Sequence, residues 1–366
     1  MGHKVFVVSG CISDSKDGYK KSISIWEKFS DQELNNKLIN RFNFRKLNIS
    51  LIKTRRWERN LLNSDEEENI FQEAKNIIDL YNLSLIIGWG NLLLEESIFR
   101  EARRNKIKIC FYLVNPTYKG KKTFLLENSD VVITDSEATR NLYSNDLKCK
   151  TVVVSKSLDN KYSINSFEDK SQISKKCLFV NPSIEKGLEP FLILSNFLYK
   201  RESEISFICV DGRSLFEDEI CYLNQKKIDI PGNIFIHPPI ENINHLFANI
   251  RVLLLLSIWH ESGSRLILES YARGIPVIAF DTGGNSELMQ NYQDDIFEKP
   301  ILYRDKNNRL RIKKWDIKKI YERITYLCEN EEYYKKYSKK IKSENNPRLI
   351  NEKFKVSLKK VLEMIE

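Results

Sequence analysis

Short apolar runs alternate with amphipathic stretches of helical length along most of this chain, and that alternation limits what it can fold into. In the first half the runs start at Lys4 (KVFVVS), Asn48 (NISLI), Leu83 (LSLIIG), Lys108 (KICFYLV), Asp130 (DVVITD) and Thr151 (TVVVS). They are short and almost continuously apolar, the pattern of strands buried on both faces. Between them lie charge-laced segments such as the one from Asp65 to Tyr81, where Ile70, Ala74, Ile77 and Ile78 share one helical face. Strand followed by helix, repeated, predicts a parallel sheet covered on both sides.

The pattern breaks after Ser157, in LDNKYSINSFEDKSQISKK, and restarts with CLFVN at Cys177, ISFICV at Ile205, NIFIH at Asn233, VLLLLS at Val252 and PVIAF at Pro276. A chain of 366 residues also exceeds one ordinary core, since a domain takes roughly 100–200 residues. The expected organisation is α/β throughout: a first domain over 1–160, a linker over 161–176, a second domain over 177–347 and a final helix over 348–366. In that helix Phe354, Leu358, Val361 and Ile365 form one apolar stripe.

Charge and cysteine usage narrow the class. The net charge of +9 is shared by both halves rather than gathered in a stripe or arm, so nucleic acid is not an expected partner. The seven cysteines are odd in number, scattered and without a CxxC pair, which suits small core residues in a reducing compartment. No apolar run approaches the 18 or so residues that span a bilayer, so the expected location is cytoplasmic. Lys20, Lys21, Lys53, Arg55 and Arg56, with Trp26 and Trp57 close by in sequence, suggest a peripheral contact with an anionic membrane face; solvated helix faces around a buried tryptophan are the alternative.

The densest chemistry lies in SIWHESGSRLILESYARGIPVIAFDTGGNSEL, from Ser257 to Leu288. A strand gives way to a small-residue loop with Gly263, and a helix starting near Ser264 offers free N–H groups and a dipole to a phosphate. Glu261 and Glu269 are eight positions apart, which on a helix means about 80° in direction and roughly 12 Å along the axis. Two carboxylates so placed reach the two ends of an elongated ligand. Read structurally, Glu261 instead caps the helix and Glu269 pairs with Arg265.

The whole segment resembles the signature of glycosyltransferase family 4: two glutamates separated by seven residues, a small-residue helix, G-x-P-V-[IV] and a Gly-Gly turn ending in Glu. The matching residues are Glu261, Glu269, Gly274, Pro276, Val277, Ile278, Gly283, Gly284 and Glu287. VNPSIEKGLEPFL from Val180, SFICVDG, NIFIHPPIENINHLFANIRVLLLLS and NSDVVITDSEATRNLY from Asn128 resemble other parts of the same family. The resemblance implies a GT-B fold: two Rossmann-like domains with parallel sheets facing across a cleft, the C-terminal helix returning to the first domain. It implies that Glu269 meets the ribose hydroxyls of a sugar nucleotide, Glu261 the donor-sugar hydroxyls and Lys186 the diphosphate. Backbone N–H groups of Gly263, Ser264 and Arg265 would assist, and Gly283 and Gly284 would shape the floor of the site. Of the four histidines, His260 is the one expected to touch ligand, because it stands beside Glu261.

The departures from the family pattern are specific. Asn181 stands where an arginine is usual, five residues before Lys186, and Arg265 or Arg213 are the candidate substitutes for its charge. The first strand is followed by GCISDSKDGYKKS, with Gly10 and Gly18 flanking a polar loop instead of a Gly-Gly turn, and Asn115 stands near the place of a frequent family histidine. The resemblance implies a retaining glycosyltransferase that uses a nucleotide-diphosphate sugar and an acceptor hydroxyl on a glycan, lipid or small molecule, with no cofactor and no metal. A nucleotide-sugar 2-epimerase of GT-B fold, or a GT-B protein that binds nucleotide sugar or glycan without turnover, are the alternatives.

Overall fold

The computed structural model describes residues 3–13, 15–30, 37–159, 175–223, 230–240, 243–308 and 310–365. The linker expected over 161–176 lies outside the described residues except at its end, where Lys176 already opens a strand.

The second domain is built on six parallel strands. Their spatial order is Ile234–His237, Ser206–Val210, Lys176–Val180, Val252–Leu255, Val277–Phe280 and Ile296–Phe297. The first and fourth strands of this series in sequence are therefore neighbours at the centre, and the order runs outward in both directions from them. That is the doubly wound arrangement, with its topological switch point between Lys176–Val180 and Val252–Leu255. Alternation along each strand divides the core: Cys177, Phe179 and Leu254 face one side, Leu178, Leu253 and Val277 the other. On the first side Phe179 stacks on Phe191 at 4.3 Å, and Phe207 meets Phe191 edge-on at 5.5 Å.

The first domain also carries a parallel sheet, formed in order by Leu85–Gly88, Lys108–Leu113, Val131–Thr134 and Lys150–Val153. It departs from the expected single sheet, because Val5–Gly10 and Leu47–Ile52 pair in a separate three-stranded sheet with Ile39–Phe44. The last two form an antiparallel hairpin whose turn residues, Arg45 and Lys46, have φ of 48° and 69°. A second hairpin, Ile301–Arg304 with Leu310–Lys314, precedes the C-terminal helices, and Arg311 ties it to Glu189 at 2.9 Å.

The final helix, Pro347–Ile365, lies against Val131–Thr134 and Lys150–Val153 of the first domain. Its Val361 is fully buried with Val131, Ile133 and Val152, and Phe354 and Ile365 flank it. Asn351 clamps the backbone of Leu158, accepting from its N–H at 2.9 Å and donating to its carbonyl at 2.8 Å. No helix among the described residues is long and apolar enough to cross a membrane. Five of the cysteines are buried as free thiols, and burial pushes Cys11 up to about 11 and Cys110 up to about 12.

Candidate active site at the switch point

Two loops leave the carboxyl ends of the central strands and meet at the switch point. The first runs from Asn181 to Gly187, the second from Leu256 to Ser264. They are stitched together by Ile258, whose N–H donates to the Glu185 carbonyl at 3.0 Å. Gly187 has φ 94°, and a Cβ there would lie 1.8 Å from the Leu256 carbonyl oxygen, so this contact admits only glycine. The Lys186 N–H donates to Ser183 Oγ at 3.2 Å, fixing the backbone of that residue.

With both loops fixed, Lys186 and Glu261 face each other. Lys186 Nζ is 2.5 Å from Glu261 Oε1, and Ser257 Oγ donates to the same oxygen. The lysine side chain is 39% exposed and the glutamate 13%, so the pair is reached by solvent from the lysine side rather than sealed in the core. Glu261 lies four positions before the helix Arg265–Tyr271. The helical geometry assumed for Glu261 and Glu269 therefore does not apply, and Glu261 bonds Lys186 and Ser257 rather than capping that helix. Glu269 is on the helix and buried at 6% exposure, and its carbonyl accepts from Arg273 Nη1.

The backbone of this loop is largely engaged. The Ser264 N–H, expected to assist a phosphate, donates to Asn285 Oδ1 at 2.9 Å. Gly263 is buried at φ 108°. Gly283, at φ 61°, leaves no room for a side chain, since its Cβ would lie 2.1 Å from the Glu261 carbonyl, and Gly284 N–H donates to that carbonyl at 2.7 Å. The Gly-Gly turn thus holds the backbone of Glu261 from below.

Asn181 has a different task from the arginine it replaces. Its φ is 62°, a left-handed conformation in which asparagine is enriched among non-glycine residues. Its Oδ1 accepts from Ser214 N–H at 3.0 Å, tying the two loops beyond the strands Lys176–Val180 and Ser206–Val210. Arg213 is exposed within that second loop. Arg265 is exposed at the first position of its helix.

His260 is half-buried, with Nε2 3.2 Å from Thr139 Oγ1 of the first domain. Burial lowers the His260 imidazole below its ordinary range; the carboxylates of Glu261 and Glu287 oppose this, and Lys119 and Lys299 reinforce it. Two neighbours escaped the sequence reading. Asp135, at the end of strand Val131–Thr134, is paired with Lys156 at 2.7 Å, accepts from Tyr112 at 2.6 Å and from Ser262 Oγ at 3.2 Å. Glu287 belonged to the signature but had no role; its carboxylate accepts from the backbone N–H groups of Glu137 and Ala138. The strand-end position of Asp135 is the one signal that would have flagged it.

Other expectations need correction. Gly18 is inside the first turn of helix Lys16–Lys28 rather than at the end of a loop. Trp26 is buried, donating to the Leu38 carbonyl at 3.3 Å with Lys53 over its ring at 4.6 Å, which is the buried tryptophan of the alternative reading. Asn115 shapes the turn that follows its strand, accepting from Thr117 N–H at 3.1 Å. Among the described residues, no three His, Cys, Asp or Glu side chains converge as a metal site.

Residues 185–344 match the family described as Glycosyl transferases group 1. No curated protein matches the chain in sequence. Among solved structures, HepE of Anabaena in complex with UDP and glucose superposes with a TM-score of 0.65 at 15% identity, covering 98% of this chain and all of that one (100%). Sucrose-phosphate synthase of Thermosynechococcus elongatus gives 0.64 at 12% identity, covering 98% and 99%. TarM of S. aureus gives 0.60 at 14% identity over 81% of this chain, which spans only 58% of TarM. At these identities the likeness is one of fold, and the fold is GT-B.

Proposed function

From a second domain of the group 1 glycosyl transferase family, we propose that this protein moves a sugar from a nucleotide-diphosphate donor to an acceptor hydroxyl with retention at the anomeric carbon. The observation that carries the reading is the meeting of Lys186 and Glu261 across the switch point, the place where open α/β sheets bind their ligands. Glu269, a buried carboxylate one helix away, is suited to accept two hydrogen bonds from a ribose diol. HepE was crystallised with UDP-glucose and with UDP, and TarM with UDP and α-GlcNAc-glycerol, which supports a uridine nucleotide as the first donor to try.

On this reading the diphosphate competes with Glu261 for the Lys186 ammonium. Once Lys186 turns to the phosphate, Glu261 is released to accept from the donor sugar. As the bond from the anomeric carbon to the phosphate oxygen breaks, its electron pair leaves with the nucleotide diphosphate, whose growing charge Lys186 stabilises. The acceptor oxygen bonds the anomeric carbon on the same face, and its proton passes to the departing phosphate oxygen. Lys186 supplies the positive charge, with Arg265 as the candidate second cation, so turnover without added divalent metal and insensitivity to chelator are expected. The acceptor, a hydroxyl of a glycan, lipid or small molecule, would enter from the first domain.

A thermal-shift panel of UDP, GDP, ADP and dTDP sugars tests the reading, because a ligand that binds only the folded state raises apparent stability. One nucleotide series should raise the midpoint clearly above the rest; no shift with any of them counts against a donor site. Product analysis with the best donor then separates transfer or slow hydrolysis from 2-epimerisation and from binding alone.

A further inference from the structure

The loop that carries Glu261 is gripped by the other domain on both sides of that residue. His260 bonds Thr139 at 3.2 Å, and Ser262 bonds Asp135 at 3.2 Å. The Gly-Gly turn beneath the loop is gripped as well. A Cβ on Gly284 would lie 2.6 Å from Ser136 Cβ, so the Ser136 side chain packs directly on the glycine backbone and leaves no room for another side chain between the domains. Three residues further on, Glu287 sends its carboxylate into the first turn of helix Glu137–Leu142, accepting from Glu137 N–H at 2.8 Å and from Ala138 N–H. Ser136 Oγ takes the third free N–H of that turn, from Thr139 at 3.2 Å. A second-domain carboxylate thus satisfies donors that a helix start leaves open, with favourable alignment to its dipole.

We propose that the first-domain segment Asp135–Thr139 is a positioning element for Glu261, and that Glu287 is the clasp that seats it. The donor-sugar carboxylate is then set by closure of the cleft rather than by the second domain alone. This rests on the reading of Glu261 as the donor-sugar contact. It separates two functions: the nucleotide is held by groups of one domain, whereas the sugar is aligned only when the first domain is docked. A docked first domain also brings its acceptor-side surface to the sugar at the moment of alignment.

Two variants on opposite sides of the clasp test this without touching Lys186, Glu261 or Glu269. Glu287→Gln removes the charge. Glu137→Pro deletes one donor at the first helical position, where proline fits, and Ser136 before it is already extended at φ −153° and ψ 157°. In both, calorimetric affinity for UDP should stay within about twofold of the unaltered protein, while slow hydrolysis of UDP-glucose falls roughly tenfold to a hundredfold, the scale of a misplaced reacting group. Unchanged hydrolysis in both variants overturns the proposal. So does a loss of UDP affinity in step with a lowered melting point, which marks a merely structural role. If the unaltered protein neither binds UDP nor hydrolyses UDP-glucose, that donor assignment has failed, and small-angle scattering without nucleotide decides the clasp. Both variants should then show a larger radius of gyration; curves superposable on the unaltered protein overturn it.

Discussion

Lys186 and Glu261 are held 2.5 Å apart by loops whose geometry leaves little freedom, and their pairing gives the site a defined charge before any ligand arrives. Removing the ammonium tests the proposed role of Lys186 toward a departing diphosphate. Lys186→Ala is expected to lower turnover on the order of 10²-fold or more, since one well-placed charge on a developing anion contributes a few kcal/mol; a near-normal rate would place that task elsewhere. His260 makes a separate prediction. Burial lowers its imidazole, so between its ordinary value and the lowered one the unfolded chain binds more protons than the folded one. The stability contributed by neutral His260 is present above its ordinary value near 6.5 and is lost as pH falls through the lowered value. His260→Gln should therefore flatten part of the fall in melting temperature between about pH 7 and pH 5, measured side by side with the unaltered protein. At this scale the sequence revealed the site's residue types but not their partners. Asn181 was legible as a missing charge, whereas its φ of 62° and its bond to Ser214 depend on how two strand ends are spaced. Glu287 was legible as the end of a motif, but the helix it caps lies about 150 positions earlier in the chain.

The elements formed where apolar runs are continuous. KICFYL is buried at four of its six positions, and such a run has few alternatives to a central parallel strand. The hairpin Ile39–Phe44 with Leu47–Ile52 escaped because its turn lacks the usual signal. A two-residue turn of this kind needs positive φ at both central positions and strongly favours Asn-Gly, yet Arg45 and Lys46 occupy them. Replacing the pair with Asn-Gly should stabilise the protein by about 1 kcal/mol, read as a higher urea midpoint, through relief of the left-handed penalty. An unchanged midpoint would mean that tertiary contacts, not the turn, set the hairpin. The final helix makes the opposite case: its apolar stripe was visible, and Val361 is completely buried by it. Val361→Ala should cost roughly 1–3 kcal/mol in the same denaturation experiment. A cost near zero would show that the helix contributes little to holding the first domain.

At the scale of the whole molecule, two α/β domains meet at the candidate site. The second carries Lys186, Glu261 and Glu269, and the first contacts the Glu261 loop through Asp135, Thr139 and the helix that Glu287 caps. The switch point follows from the strand order, and the order is not readable from the runs themselves, since any permutation of five or six apolar segments would look alike in sequence. The glutamate spacing supplied what the runs could not. The central claim is that this cleft holds a nucleotide-diphosphate sugar with the buried Glu269 on the ribose. Calorimetric titration of Glu269→Ala with UDP, GDP, ADP and dTDP tests it most directly. Loss of charge-assisted hydrogen bonds worth about 1.5–3 kcal/mol predicts affinity for the preferred nucleotide roughly 10-fold to 100-fold below that of the unaltered protein. Unchanged affinity for every nucleotide diphosphate would contradict the assignment.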